Sequence, residues 1–103
     1  MAFTNKVGAT IQNIGGVYIA TSGVNITLTP SGSPVQIITA SAPIDMILPP
    51  EADSNGLVFT IRAITSAITV KNDGGGIVQL VAAGKAAIVA CNGTAWATVF
   101  IQA

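Results

Sequence analysis

From Val17 onward, apolar and polar residues alternate in short runs that turn residues separate. Alternation with a period of two puts the apolar side chains on one face of a β-strand. No stretch is long and periodic enough to predict an α-helix, and PPEADSNG, residues 49–56, fits either one helical turn or a plain loop. The predicted strands lie in VYIA, VNITLT, VQIITA, PIDMILPP, LVFTIRA, AITVK, IVQLV, AAIVAC and TAWATVFI.

The spacing of these runs predicts the fold class. Strand starts recur about every ten residues, as in a small antiparallel β-sandwich or barrel, and no strand–helix alternation is present. We therefore expect one all-β domain of about eight short strands over residues 15–103. Residues 1–14, MAFTNKVGATIQNI, show no sustained pattern and predict an extended N-terminal arm.

The clearest turn lies between the last two runs, where Asn92 and Gly93 separate AAIVAC from TAWATVFI. Asn-Gly between two alternating runs is a strong hairpin signal, because both central residues of a type I′ turn need a positive φ. The sequence therefore predicts a type I′ hairpin with Asn92 and Gly93 as its turn residues.

The chain carries few charges for its length. Four basic and four acidic residues make up 8% of the 103 residues, and no charged residue lies between Lys6 and Asp45. An ordinary soluble domain has about a quarter of its residues charged. Because a neutral surface with exposed apolar area favours association, we expect a homo-oligomer or a protein that sits on a larger assembly.

Composition also argues against several partners. The four cations, Lys6, Arg62, Lys71 and Lys85, are scattered, so no basic stripe is available for nucleic acid. No run of about 20 apolar residues predicts a membrane span, and the first residues lack the apolar region of a secretory signal. A single cysteine cannot form an internal disulfide, which fits assembly in a reducing cytoplasm.

Candidate chemistry is sparse. Cys91 would need a base to act as a nucleophile, and the chain has no histidine, so we interpret it as a small buried residue and do not expect an enzyme. Glu51 and Asp53 share one segment that we interpret as a solvated loop rather than an ion site. NDGGG, residues 72–76, lacks the rest of a phosphate loop and is interpreted as a hairpin tip. No catalytic, metal-ligating or cofactor-binding residue is predicted.

The last predicted strand is apolar on both faces. Strand alternation places Trp96 and Phe100 on one face. The other face carries Ala95, Ala97, Val99 and Ile101. A strand that is buried on both sides belongs to a sheet packed against a core and against something else. Trp96 is therefore expected in the core or at a subunit interface, and both aromatic residues are candidate contacts to a subunit or to a larger assembly.

The arm supplies three further candidate contacts. Phe3, Val7 and Ile11 recur every four residues along a mostly polar segment. Ordering such a segment alone costs about 1–2 kcal/mol of backbone entropy per residue, whereas burying each apolar side chain returns about 1.5–3 kcal/mol. We expect the arm to dock on a neighbouring subunit or on the surface beneath it.

Roughly the last sixty residues contain short motifs in a fixed order. They are Leu48-Pro49, Gly56 before Phe59-Thr60-Ile61, Thr69-Val70 before Gly74-Gly75-Gly76, Gly84 with Ala87, and Asn92-Gly93-Thr94-Ala95-Trp96. Their order resembles a β module common in virion proteins of tailed bacteriophages. The resemblance implies an all-β module, usually trimeric, of tail fibres, tailspikes and head appendages, and it brings no catalytic residues.

Fibre and spike modules of this type usually belong to long chains with shaft repeats, whereas this chain is short and has an arm. The expected function is therefore a trimeric capsid decoration (cement) protein that binds the major capsid protein on the virion surface and bridges or stabilises its subunits. The alternative is a tail-fibre or head-fibre module that binds a host-surface carbohydrate. A small hydrolase, the third class, is disfavoured because the chain has no histidine.

Overall fold

The computed structural model describes residues 17–103, which form an all-β domain. Within that range the single helical element is a 3-10 turn at Glu51–Asp53, where the sequence left a helical turn or a plain loop open. The strands are β1 (Val17–Ser22), β2 (Ile26–Thr27), β3 (Val35–Ala40), β4 (Ile44–Ile47), β5 (Val58–Ala63), β6 (Ile68–Lys71), β7 (Ile77–Val81), β8 (Ala86–Cys91) and β9 (Trp96–Ile101). The predicted all-β class is confirmed, and the predicted arm, residues 1–14, lies outside the described residues.

The strands form two mixed sheets. The five-stranded sheet has the order β1-β3-β5-β8-β9, and the four-stranded sheet has the order β2-β4-β6-β7. From β1 to β6 the chain alternates between the sheets, so that strands two places apart in sequence pair in parallel. One strand from each sheet thus forms a rung, as in a β-solenoid, and the first six strands make three stacked rungs.

After β6 the chain reverses direction. A hairpin joins β6 to antiparallel β7, and β8 then pairs with β5 in antiparallel orientation. A second hairpin joins β8 to β9. β7, β8 and β9 therefore end the stack, and each of them pairs with its neighbours in antiparallel orientation.

The predicted antiparallel arrangement is wrong for the N-terminal half, and the two sheets do not close into a barrel. The regular strand spacing arises because the chain crosses to the other sheet, so that Val17 lies opposite Val35 and Val35 lies opposite Thr60. Alternation identifies a strand and its buried face, but it does not identify the partner strand. Antiparallel pairing is confirmed in the C-terminal part, where Asn and Gly residues fill the hairpin turns.

Both sheets contribute to one hydrophobic core. Alternate residues of each strand point inward, as Phe59, Ile61 and Ala63 do from β5, and each of these three is at most 2% exposed. Met46 and Val70 enter the same core from the four-stranded sheet. Removing a large apolar side chain from water contributes about 1.5–3 kcal/mol, so this shared core is the main source of stability.

Trp96 connects the last strand to the core through one hydrogen bond and one aromatic contact. Its indole N–H donates to the carbonyl oxygen of Pro49 at 2.9 Å, and its ring centroid lies 5.7 Å from that of Phe59. An aromatic pair at such a distance contributes about 0.5–1.5 kcal/mol beyond the area it buries. Since Trp96 is only 8% exposed, it lies in the core of its own chain, which is one of the two places expected for it, and its contact to a subunit or a capsid stays a prediction.

Candidate interaction surfaces

The hairpin between β8 and β9 is confirmed, but its turn differs from the prediction. Cys91 lies opposite Trp96, and the N–H of Asn92 donates to the carbonyl oxygen of Ala95 at 3.2 Å, so Gly93 and Thr94 rather than Asn92 and Gly93 lie at the centre of the turn. Gly93 has a φ of 92°, whereas no described residue other than glycine has a positive φ. A type I′ turn would require a positive φ at Asn92 as well. The type I′ assignment is therefore wrong, although Gly93 does adopt the predicted conformation.

The side chain of Asn92, rather than its backbone conformation, organises this loop. Its Oδ1 accepts hydrogen bonds from the backbone N–H groups of Thr94 at 2.9 Å and Ala95 at 3.0 Å. Asn72 begins the β6–β7 loop in the same way and accepts from two glycine N–H groups. Asparagine favours such positions because its short amide can replace a backbone acceptor in a turn.

An irregularity in β9 changes the direction in which Phe100 points. Ile88 pairs with Phe100, while the next residue of β8 pairs with Thr98, so Val99 is the extra residue of a β-bulge. Directly paired residues share a face of the sheet. Phe100 therefore lies beside Ile88 on the outer face, 54% exposed, whereas Trp96 points inward. The prediction that the two aromatic residues share a face is wrong.

The outer face of the five-stranded sheet is nearly free of charge. The strand register aligns one row across all five strands, and Ile19, Ile37 and Arg62 lie in the neighbouring row. The first row consists of Val17, Val35, Thr60, Ile88 and Phe100. Arg62 is the one charged residue in these five strands. We call the two rows together the apolar face.

The outer face of the four-stranded sheet has a different character. Asp45 and Lys71 project from neighbouring strands and form an ion pair with 2.9 Å between Oδ2 and Nζ. Ile77, directly opposite Lys71, is 71% exposed, and Leu80 further along β7 is 54% exposed. Apolar side chains are thus exposed on both sheets, but only this face combines them with a charged pair.

A cleft of about 340 Å³ opens between β1 and β2 at the N-terminal rung. Tyr18, Ile26 and Gln36 line it together with hydroxyl-bearing residues of the β2–β3 connection, including Thr29 and Ser31. β1 and β2 are terminal strands of their sheets, so each has an edge without a partner strand among the described residues.

The inward-facing side chains of neighbouring strands become less exposed with distance from this cleft. Tyr18 is 37% exposed, Gln36 opposite it on β3 is 3% exposed, and Ile61 on β5 is 0% exposed. Gln36 donates from Nε2 to the Ser33 carbonyl at 2.8 Å, but its Oε1 finds no donor among the described residues. A buried acceptor without a donor costs about 1–3 kcal/mol. Within residues 17–103 the N-terminal rung is therefore the incompletely covered end of the stack.

The candidate chemical groups do not converge on a site within residues 17–103. Cys91 is 5% exposed, and its Sγ lies 3.6 Å from the carbonyl oxygen of Glu51. Glu51 and Asp53 lie on the 3-10 turn. No group of three or more His, Cys, Asp or Glu side chains suited to a metal ion was found in this range. The same residues contain no helix of the length and hydrophobicity needed to cross a membrane.

The structure places one of the predicted contact residues, Phe100, on an exposed surface. Phe3, Val7 and Ile11 lie outside the described residues, so their contacts stay a prediction. The sequence analysis did not identify Ile19 or the rest of the apolar face. A signal for it was present, because VQIITA and AAIVAC are apolar on both strand faces, as the last strand is.

Comparisons with protein-family models, with curated proteins and with solved structures found no match for this chain. No family is assigned on that basis. The function is therefore argued from the surfaces themselves.

Proposed function

We propose that this protein is a non-enzymatic structural protein that assembles through its apolar face. The observation that carries the proposal is the uncharged row from Val17 to Phe100, which crosses all five strands with only Arg62 beside it as a charge. Contiguous exposed apolar surface marks interaction sites in soluble proteins. Strand spacings of about 4.8 Å and rises of about 3.3 Å per residue give the whole outer face of this sheet, five strands of six residues each, an area on the order of 500 Å². That is more than half of the roughly 800 Å² that each partner contributes to a standard interface.

The specific role that we propose is a trimeric capsid decoration (cement) protein of a tailed bacteriophage. The resemblance of the motifs from Leu48 to Trp96 to phage virion modules supports this role, as does the low charge of the chain. In this mechanism the three copies bury apolar surface against one another, and the trimer binds the major capsid protein and bridges its subunits. Neither nucleic acid nor a membrane is a partner, and assembly onto the virion takes place in the host cytoplasm.

The alternative, a tail-fibre or head-fibre module that binds a host-surface carbohydrate, has less support. The cleft offers Tyr18 and several hydroxyl groups. However, Trp96, the side chain with the largest ring for stacking on a sugar, is only 8% exposed. Binding of the full-length protein to a glycan array, lost in Tyr18→Ala, would favour the carbohydrate-binding role over decoration.

Sedimentation velocity with a matched pair of variants tests the assembly surface. Phe100 on the apolar face and Leu80 on the other sheet are both 54% exposed, so lysine at either position adds a charge to an equally accessible site. We expect the full-length protein to sediment as a trimer at micromolar concentration, Phe100→Lys to sediment as a monomer, and Leu80→Lys to remain trimeric. A monomeric full-length protein, or equal effects of the two variants, would contradict assembly through this face.

Attachment to a capsid is measured separately. Protein mixed with undecorated capsids should pellet with them, and electron cryo-microscopy of the parent particle should place the apolar face at a contact between subunits. A trimer that does not pellet with capsids would support assembly through the apolar face and contradict the decoration role.

A further inference from the structure

Three carboxylates lie at one end of the strands. β4 and β6 run parallel, and Ile47, the last residue of β4, lies opposite Lys71, the last residue of β6. The loops that follow these two strands therefore leave from the same end of the domain, which we call the acidic end. They carry all the acidic residues of the chain except Asp45, which pairs with Lys71. These residues are Glu51, Asp53 and Asp73.

Arg62 lies at the opposite end of the strands. In the antiparallel pair of β5 and β8, Val58 lies opposite Ala90 and Arg62 lies opposite Ala86. Val58 is the first residue of β5 after the 3-10 turn, and Arg62 lies about 13 Å beyond it at a rise of about 3.3 Å per residue. Arg62 and the acidic end of the same chain are therefore too far apart to form an ion pair.

No acidic side chain of the same chain partners Arg62. The one ion pair found within residues 17–103 is Asp45–Lys71, and residues 1–16 contain neither aspartate nor glutamate. Lys85, which precedes Ala86, differs from Arg62, because its Nζ donates to the carbonyl oxygen of Ala103 at 2.7 Å. Arg62 lies half-buried on the apolar face, and a guanidinium that is removed from water needs an acidic partner. When assembly buries this face, the partner has to come from another molecule.

The separated charges determine how three copies fit around a three-fold axis with their apolar faces turned inward. If the strands ran along the axis, the acidic ends of all three copies would meet, and like charges placed side by side oppose association. If the strands run across the axis, the Arg62 end of each copy meets the acidic end of the next copy. This contact repeats three times and closes a ring, as a head-to-tail interface does when its rotation closes.

We propose that Arg62 of each copy pairs with the carboxylates of the 3-10 turn, Glu51 and Asp53, in a neighbouring copy of the same chain. The turn leads into β5, a strand of the sheet that carries the apolar face, whereas Asp73 lies in a loop of the four-stranded sheet. The apolar row supplies the buried area, and the ion pair fixes the order and the orientation of the copies. This inference rests on the proposed assembly through the apolar face.

Carbodiimide cross-linking of the full-length Arg62→Lys variant tests the pairing directly. A carbodiimide joins a lysine amine to a carboxylate that it contacts, and the substitution keeps the positive charge. We expect an amide bond between position 62 of one chain and Glu51 or Asp53 of another chain, assigned by peptide mapping. The Lys71–Asp45 pair is the internal control, because its Nζ and Oδ2 atoms lie 2.9 Å apart. A cross-link at Lys71 without one at position 62 would overturn the proposal.

Charge reversal separates this pairing from assembly through the apolar face as such. Arg62→Glu should raise the dissociation constant of the trimer at least about tenfold, because it places like charges together. The charge-swapped variant, which adds Glu51→Lys and Asp53→Lys to it, should restore the trimer, whereas Leu80→Glu on the other sheet should leave the dissociation constant unchanged. A charge-swapped variant that stays dissociated would contradict the pairing. If Arg62→Glu remains trimeric while Phe100→Lys dissociates, the pairing is wrong and assembly through the apolar face stands.

Salt dependence gives a second readout that needs no reversed charge. Between about 0.1 M and about 1 M NaCl the Debye length falls from about 10 Å to about 3 Å, so the dissociation constant of the full-length trimer should rise several-fold. Arg62→Gln should assemble more weakly at low salt and lose most of this dependence. Equal salt dependence in the two proteins would refute the ion pair. A full-length protein that is monomeric at both salt concentrations would refute the proposed assembly as well.

Discussion

The two ends of the stacked rungs are finished in different ways. At the C-terminal end Thr98 Oγ1 of β9 donates to Gln79 Oε1 of β7 at 3.0 Å, which joins the last strands of the two sheets. At the N-terminal end β1 and β2 flank an open cleft, and Gln36 Oε1 has no donor among the described residues. Antiparallel hairpins let the chain cover its own end, whereas a parallel strand needs a neighbour from a distant segment or from another chain.

The largest contrast between the ends should come from their aromatic residues. Trp96→Ala should destabilise the domain by about 3–5 kcal/mol, because it leaves a cavity beside Phe59 and removes the donor to Pro49. Tyr18→Ala at the open end should cost only about 1–2 kcal/mol, since Tyr18 is 37% exposed. Urea unfolding followed by circular dichroism measures both values, and equal losses would contradict the expected difference in stability between the two ends.

A second substitution separates the hydrogen bond of Trp96 from its packing. Trp96→Phe keeps much of the ring and removes the indole N–H, so a loss of about 1–3 kcal/mol is expected from the unpaired Pro49 carbonyl and the smaller ring. If Trp96→Phe is as damaging as Trp96→Ala, the hydrogen bond rather than the packing fixes the last strand.

Three glycines of the C-terminal hairpins should show a graded response to alanine. Gly93 has a positive φ, and an added Cβ would lie 3.2 Å from Asn55 Cγ, so we expect a loss of about 1–3 kcal/mol. Gly75 also has a positive φ but has nothing within 4 Å of the added Cβ, so its loss should be smaller. Gly74 does not have a positive φ, and its added Cβ would make only an ordinary contact, 3.5 Å from Asn72 Oδ1, so it serves as the control. Thermal unfolding of the three variants gives the order, and equal shifts would show that backbone conformation is not the cause.

Asparagine side chains should contribute more to the free energy of unfolding at the C-terminal, closed end of the stack, where the hairpins cover the core. Asn92→Ala removes two backbone hydrogen bonds of the last hairpin and should cost about 1–2 kcal/mol. Asn25→Ala, near the open end, removes one hydrogen bond, from the N–H of Asp45, and should cost about 0.5–1.5 kcal/mol. Asn92→Asp keeps an acceptor oxygen and should restore most of the stability measured by urea unfolding. If it does not, the Asn92 side chain stabilises the loop through something other than accepting these two hydrogen bonds.

The smallest effect is expected from the ion pair on the four-stranded sheet. The side chains of Asp45 and Lys71 are 33% and 27% exposed, so solvent screens their attraction. A double-mutant cycle with Asp45→Asn and Lys71→Met should give a coupling of about 0.2–1 kcal/mol that decreases in high salt. A coupling above this range would mean that the ion pair stabilises the four-stranded sheet as a specific contact.

The sequence predicted strand positions well and strand partners poorly. VQIITA and AAIVAC coincide with β3 and β8, because alternation follows from the geometry of a single strand. The pairing of Val17 with Val35 depends on where the β1–β2 and β2–β3 connections lead, and no local pattern records that. Only the C-terminal hairpins carry their pairing in the sequence, through Asn72 and Asn92 at the start of glycine-containing loops.

The sequence predicted an interaction surface but not its position in the fold. Low charge predicted an assembling protein, which stays a prediction, and the apolar face is the surface through which we propose that it assembles. The bulge at Val99 could not be foreseen, since neither glycine nor proline marks it, and it moved Phe100 to the face opposite Trp96. A single extra residue in a strand moves every later side chain to the opposite face of the sheet. Predictions of the face on which a side chain lies are therefore most often wrong near the end of a strand.

The position of Trp96 decides what intrinsic fluorescence can detect in this molecule. It is the only tryptophan of the chain, and it reports on the polarity around Pro49 and Phe59, at the closed end. Opening of β1 and β2 leaves those neighbours in place, so local unfolding there would be silent in emission but visible in circular dichroism. A melting curve by circular dichroism that begins before the fluorescence curve would therefore measure, without any label, how independently the first rung opens.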